Sequence, residues 1–157
     1  MPHDLYELRE RLGRVKAVEL EFYAVRSSVE QMRVLITRGD AVLTDAGVRD
    51  LDSAAENLES TYMIRLWAEF ETAIRSYYGW RRNEPVSRIK TRDLIDAVAG
   101  VRLGRAISND VREKVHVVRE YRNSLIHARD DSSLAVALSD ARRVLNLYLC
   151  RLPETWG

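Results

Sequence analysis

The chain has 157 residues, 46% apolar and 31% charged, too apolar for a disordered chain and the right size for one soluble domain, 1–157, with its own core. No apolar run nears the roughly 20 residues of a membrane helix, and the opening MPHDLYELRERL mixes acid and base instead of following a basic stretch with an apolar one, so a cytoplasmic protein with no membrane partner is expected. Cys150 is the sole cysteine, which excludes an internal disulfide and a cysteine-based zinc site, and 25 Lys+Arg against 24 Asp+Glu leave a net charge of +1, so any polyanion site must be local.

From Asp4 to about Arg38, Leu5, Leu8, Leu12, Val15, Val18, Phe22, Val25, Val29, Met32 and Ile36 recur at spacings of three and four, the one-sided stripe of a helix. At 1.5 Å per residue this helix would be roughly 50 Å long, so it either bends or packs against another subunit. Gly39-Asp40 ends it. A second helix begins within Val48 to Ser53, where Ser53 and Glu56 have capping-box spacing, and runs to about Gly79 with Leu51, Ala55, Leu58, Tyr62, Leu66, Trp67, Phe70, Ile74 and Tyr77 inward. The segment Trp80 to Arg92, WRRNEPVSRIKTR, has a proline, no apolar period and five basic residues against one acid, and it reads as a loop. A short helix follows over about Arg92 to Ala99, then a turn flanked by Gly100 and Gly104. Ser108 or Asn109 caps the next helix, which reaches about Ala128. After the polar break of Asp130 to Ser133, a last helix spans about Ser133 to Leu152, with Leu134, Leu138, Ala141, Leu145, Tyr148 and Leu152 as its stripe. Four long helices and one short one predict an all-α, up-and-down helical bundle.

The helix after Asn109 breaks its own pattern. Val111, Val115 and Val118 lie within about 60° of one another around the helix axis, and Arg122 falls in the middle of that stripe. A guanidinium placed there needs a carboxylate, carbonyls or a phosphate as partner, because an unpaired buried charge is costly. A second, polar stripe of His116, Arg119, Glu120, Asn123 and His127 runs down the same helix.

The string joining the two stripes, Arg122-Asn123-Ser124-Leu125-Ile126-His127 in the context EYRNSLIHARDD, resembles the R-x4-6-H motif of the HEPN superfamily in its R-N-x-x-x-H form. The helix order, the chain length and the single helix closing the chain after the motif are also similar to a stand-alone HEPN domain. The resemblance implies a metal-independent endoribonuclease, often a toxin or defence effector, acting on RNA as a homodimer whose active site combines both motifs, and no cofactor. The residue chemistry fits. RNA carries its own nucleophile in the 2′-OH, so cleavage needs proton transfer near neutral pH and a cation for the charge that builds on phosphorus. His127 suits the first, Arg122 the second, and Asn123, one turn before His127, can orient the ring or a phosphate. Arg122 and His127 point about 140° apart on an ideal helix, which favours a two-fold axis nearby over a distorted helix end. Family members controlled by a nucleotidyltransferase antitoxin often carry a tyrosine two residues after the histidine. Arg129 occupies that position here, which argues against that mode of control while leaving room for another antitoxin protein.

The remaining candidates have structural readings beside the functional ones. Arg81, Arg82, Arg88 and Lys90, preceded by Tyr77 and Tyr78, pair phosphate-binding cations with stacking rings, as a single-stranded RNA contact would, with Arg119 as a further contact. A solvated loop with core-anchored aromatics is the competing reading. Glu71 is placed to pair with Arg122, and Glu120 and His116 to support the site. Glu113 and His116 form one E-x-x-H, but a di-metal bundle needs a second, so no metal site is expected. Tyr62, Trp67 and Phe70 read as core. An alternative function is a catalytically silent bundle of the same kind that binds a nucleotide, RNA or a protein partner.

Overall fold

A computed structural model describes residues 6–86, 88–100, 107–127 and 134–156. These form five helices, α1 (Leu8–Arg38), α2 (Val48–Arg82), α3 (Thr91–Gly100), α4 (Asn109–His127) and α5 (Leu138–Leu149), with a two-residue antiparallel ladder between β1 (Tyr6–Glu7) and β2 (Thr155–Trp156). The architecture is the expected all-α bundle. No described helix is long and apolar enough to cross a membrane.

Buried residues from all five helices meet in one cluster. Trp67 packs on Phe70 with ring centroids 5.2 Å apart, and Phe70 meets Tyr148 edge-on at 5.4 Å, so the aromatic pattern of α2 is core, as the periodicity predicts. The Tyr148 hydroxyl donates to the Ile95 carbonyl at 2.6 Å, tying α5 to α3. Burial, with Asp96 nearby, pushes that hydroxyl's pKa far above its ordinary range. Trp156, which the helical stripes do not include, is fully buried in β2, edge-on to Tyr77 and donating its indole N–H to Ser76 Oγ at 3.0 Å.

Several boundaries differ from those the sequence suggests, each for a physical reason. α2 starts at Val48, where the Gly47 N–H donates to the Asp50 carboxylate at 2.8 Å. Ser53 and Glu56 therefore lie inside the helix and cap nothing. α2 also continues past Gly79 to Arg82 and stops where Asn83 adopts a left-handed conformation, φ 54°, which asparagine tolerates better than most residues. α5 begins at Leu138 rather than Ser133. Leu134 is exposed, and the Leu138 N–H is taken by Glu59 Oε1 of α2 at 2.9 Å, so a carboxylate from a neighbouring helix sets the start. At α4, Ser108 Oγ accepts the Val111 N–H at 3.3 Å, the cap the sequence suggests. The expected turn after Gly100 and the polar break at 130–133 lie outside the described residues, as do Asp4, Leu5, Ala128 and Arg129.

α1 runs as one continuous helix of 31 residues. Arg11, Val15, Val18, Glu19 and Phe22 are buried in the bundle, Glu19 holding Arg142 of α5 at 2.7 Å. Beyond Phe22 no α1 residue is fully buried, nor is any α2 residue before Tyr62. These halves form a two-helix arm, tied by Arg33–Asp52 at 3.0 Å, with Glu21–Arg65 at 2.7 Å near its base.

Candidate functional site

Helical spacing places Trp67, Glu71 and Arg75 on one face of α2, each one turn from the next. Glu71 is their hub. It accepts the Trp67 indole N–H at 3.1 Å, the Arg75 guanidinium at 2.7 and 2.9 Å, and the Thr91 hydroxyl at 2.7 Å. Half-burial opposes ionisation, but the Thr91 hydroxyl, Arg75 and the Trp67 indole together outweigh it and hold the Glu71 carboxyl below the usual carboxylate range. Arg75 also donates to the carbonyls of Val86 and Ile89 at 2.9 and 3.1 Å, fastening the loop between α2 and α3 along α2. A side chain at Gly79 would collide with this loop, since a Cβ there would come within 2.8 Å of Val86 Cγ2.

The fastened loop delivers Lys90, Thr91 and Arg92 to the flank of α4. Val115 and Val118 seat α4 in the core, and Arg122, next on that stripe, reaches the rim half-buried. Lys90, Thr91, Arg92, Arg119, Arg122 and Asn123, together with Trp67, line a cavity of about 260 Å³. Among the described residues no carboxylate lines it. Arg122 donates to Asn123 Oδ1 at 3.0 Å, and Arg119 pairs with the exposed Glu120 at 2.8 Å. The Nε atoms of both arginines are buried without a hydrogen-bond partner.

The expected pairing of Glu71 with Arg122 is not what forms. Arg75, one turn away on the same helix, engages Glu71 in a two-pronged contact, so Glu71 supports the site by holding the loop. Arg122 keeps its charge turned to the cavity. Of the basic segment Trp80 to Arg92, Lys90 and Arg92 reach this cavity. Arg81 and Arg82 line another, of about 560 Å³, with Ala97 and Gly100 at the far end of α3. Arg82 lies over the Tyr78 ring at 5.6 Å, and Arg88 is exposed. His116 Nε2 sits 2.8 Å from Asp96 Oδ1, with Arg112 Nε 3.8 Å from the same oxygen, an arrangement that joins α3 to α4. Among the described residues no three His, Cys, Asp or Glu side chains are grouped to hold a metal ion. His127 is the exposed last residue of α4, outside the cavity wall.

The roles of Arg75, Thr91 and Arg92 are not evident from the motif. The i, i+4 spacing of Trp67, Glu71 and Arg75 was the available signal for the first, while Thr91 and Arg92 come to the site only through the path of the loop. No protein-family model, curated protein or solved structure matches the chain.

Proposed function

We propose that the protein is a metal-independent endoribonuclease of the HEPN kind, acting as a homodimer, with a role as a toxin or defence effector restrained by a partner protein. The observation that supports this reading is the meeting of Arg122 and Asn123 with Lys90, Arg92 and Arg119 around one cavity that no carboxylate lines among the described residues. In the proposed reaction the 2′-oxygen attacks the adjacent phosphorus while His127 accepts its proton. The bond from phosphorus to the 5′-oxygen then breaks, that oxygen takes the proton back from protonated His127, acting now as general acid, and the 5′ fragment ends in a 2′,3′-cyclic phosphate. Arg122 stabilises the charge on the phosphoryl oxygens, and Asn123 holds Arg122.

The position of His127 outside the cavity of its own chain favours a second reading, an anion-binding bundle without cleavage. One assay separates the two. Incubating RNA with the protein in EDTA yields fragments with cyclic phosphate ends under the ribonuclease reading, and His127→Ala lowers the rate by at least about 100-fold, the scale of general acid–base catalysis. RNA left intact by the wild-type protein at every concentration rejects it.

A further inference from the structure

The cavity holds more positive charge than one phosphodiester balances. Lys90, Arg92 and Arg122 have no carboxylate partner among the described residues, and Arg119 has only Glu120, whose side chain is 65% exposed. Thr91 and Arg92 open the first turn of α3 on the same wall, where backbone N–H groups lack helical partners and the helix dipole is positive. Asp93 is in that turn but does not line the cavity. Like charges gathered around one cavity repel one another, most where burial limits screening, as at the buried Nε atoms of Arg119 and Arg122, and an anion relieves this most when it carries more than one charge. A volume of about 260 Å³ is below the ordinary range of sites for drug-sized ligands, enough for a phosphoryl group and part of one ribose.

We infer that this cavity is a phosphate-dianion site, taking a doubly charged phosphoryl group in preference to a singly charged diester. A diester carries one negative charge, whereas a phosphomonoester or free phosphate carries about −1.5 to −2 at pH 7. The phosphorane formed when a deprotonated 2′-oxygen adds to a diester also carries two, because the new P–O bond brings the oxyanion's charge while the bond to the 5′-oxygen is still intact. This preference rests on the ribonuclease reading for its catalytic meaning: the site would hold the reaction's dianion more tightly than its substrate, which is the differential binding that accelerates a reaction. It would also release a cyclic phosphate product and be inhibited by a nucleoside 3′-monophosphate.

Calorimetry on the 157-residue His127→Ala protein in EDTA, with uridine 3′-monophosphate, uridine 2′,3′-cyclic monophosphate and inorganic phosphate, tests the preference. The monophosphate is expected to bind at least about 10-fold more tightly than the cyclic ester. Inorganic phosphate is expected to displace it, which assigns the preference to the phosphoryl group rather than the nucleoside. In the Lys90→Gln/Arg92→Gln variant, whose substituted side chains are exposed and outside the core, the ratio falls to about twofold. Equal affinities, a preference for the cyclic ester, no displacement by phosphate, or a ratio unchanged in the double variant overturns the inference. Intact RNA in the cleavage assay removes the ribonuclease reading and leaves a measured dianion preference standing, whereas equal binding of the two nucleotides does the reverse.

Discussion

The Glu71 carboxylate holds the Trp67 indole, the Arg75 guanidinium and the Thr91 hydroxyl at once. The place of Glu71 on the helix facing Arg122 suggests a salt bridge across the bundle, but Arg75 is four residues away on the same face and reaches it at 2.7 Å. A partner one turn away needs no long-range folding to be found. The depressed pKa fixes the sign of its pH dependence. A carboxylate more acidic in the folded than in the unfolded state adds stability that is fully present above the unfolded value of about 4.3 and is lost as pH falls through the lower folded value. Glu71→Gln is accordingly expected to cost about 1–2 kcal/mol at pH 7, after allowance for partial exposure. Urea denaturation of both proteins at pH 7 and pH 3 checks it, and a difference that does not shrink at pH 3 contradicts the assigned network.

At the scale of elements, the loop from Asn83 to Lys90 matters because it is held against α2. Arg75 grips two of its carbonyls, Thr91 anchors its end on Glu71, and Gly79 leaves room for Val86. Read as a sequence, the segment is a basic loop and Gly79 a helix stop. In the structure the helix passes through Gly79, and the missing side chain is what lets the loop close. Gly79→Ala pits a gain in helix propensity of up to about 1 kcal/mol against overpacking of about 1–3 kcal/mol, and a net loss of about 1 kcal/mol is expected. Adding Val86→Ala removes the colliding methyl and should restore most of it. A single variant as stable as the wild type in thermal or urea unfolding would show that the loop gives way freely.

For the molecule as a whole, the relation that bears on assembly is between the cationic cavity and His127. They share α4, yet the histidine lies outside the wall that Arg119, Arg122 and Asn123 form. A composite site in which each chain supplies His127 to the other resolves this, so the ribonuclease reading expects a dimer. Sedimentation equilibrium is expected to give twice 18.1 kDa, and a monomer with full cleavage activity would refute the composite arrangement. The arm built from the distal halves of α1 and α2 accounts for the length of α1 without a second subunit, so that length no longer bears on oligomeric state.

What the sequence determined by itself was the set of helices and the face each turns inward. The three-to-four spacing of Val15, Val18 and Phe22, of Leu66, Phe70 and Ile74, and of Leu138, Ala141 and Leu145 is a local property of the chain, and burial follows from it. The anomaly of Arg122 on an apolar stripe was legible for the same reason. Tertiary structure decided what depends on residues far apart in the chain. Glu59 sets the start of α5, and the C-terminal strand carries Trp156 onto Tyr77. The path of one loop selects Lys90 and Arg92, rather than Arg81 and Arg82, to face Arg122. Periodicity reports which side of a helix is apolar, but a loop's route is fixed by the carbonyls and hydroxyls that Arg75 and Glu71 capture, contacts that leave no repeating pattern in the sequence.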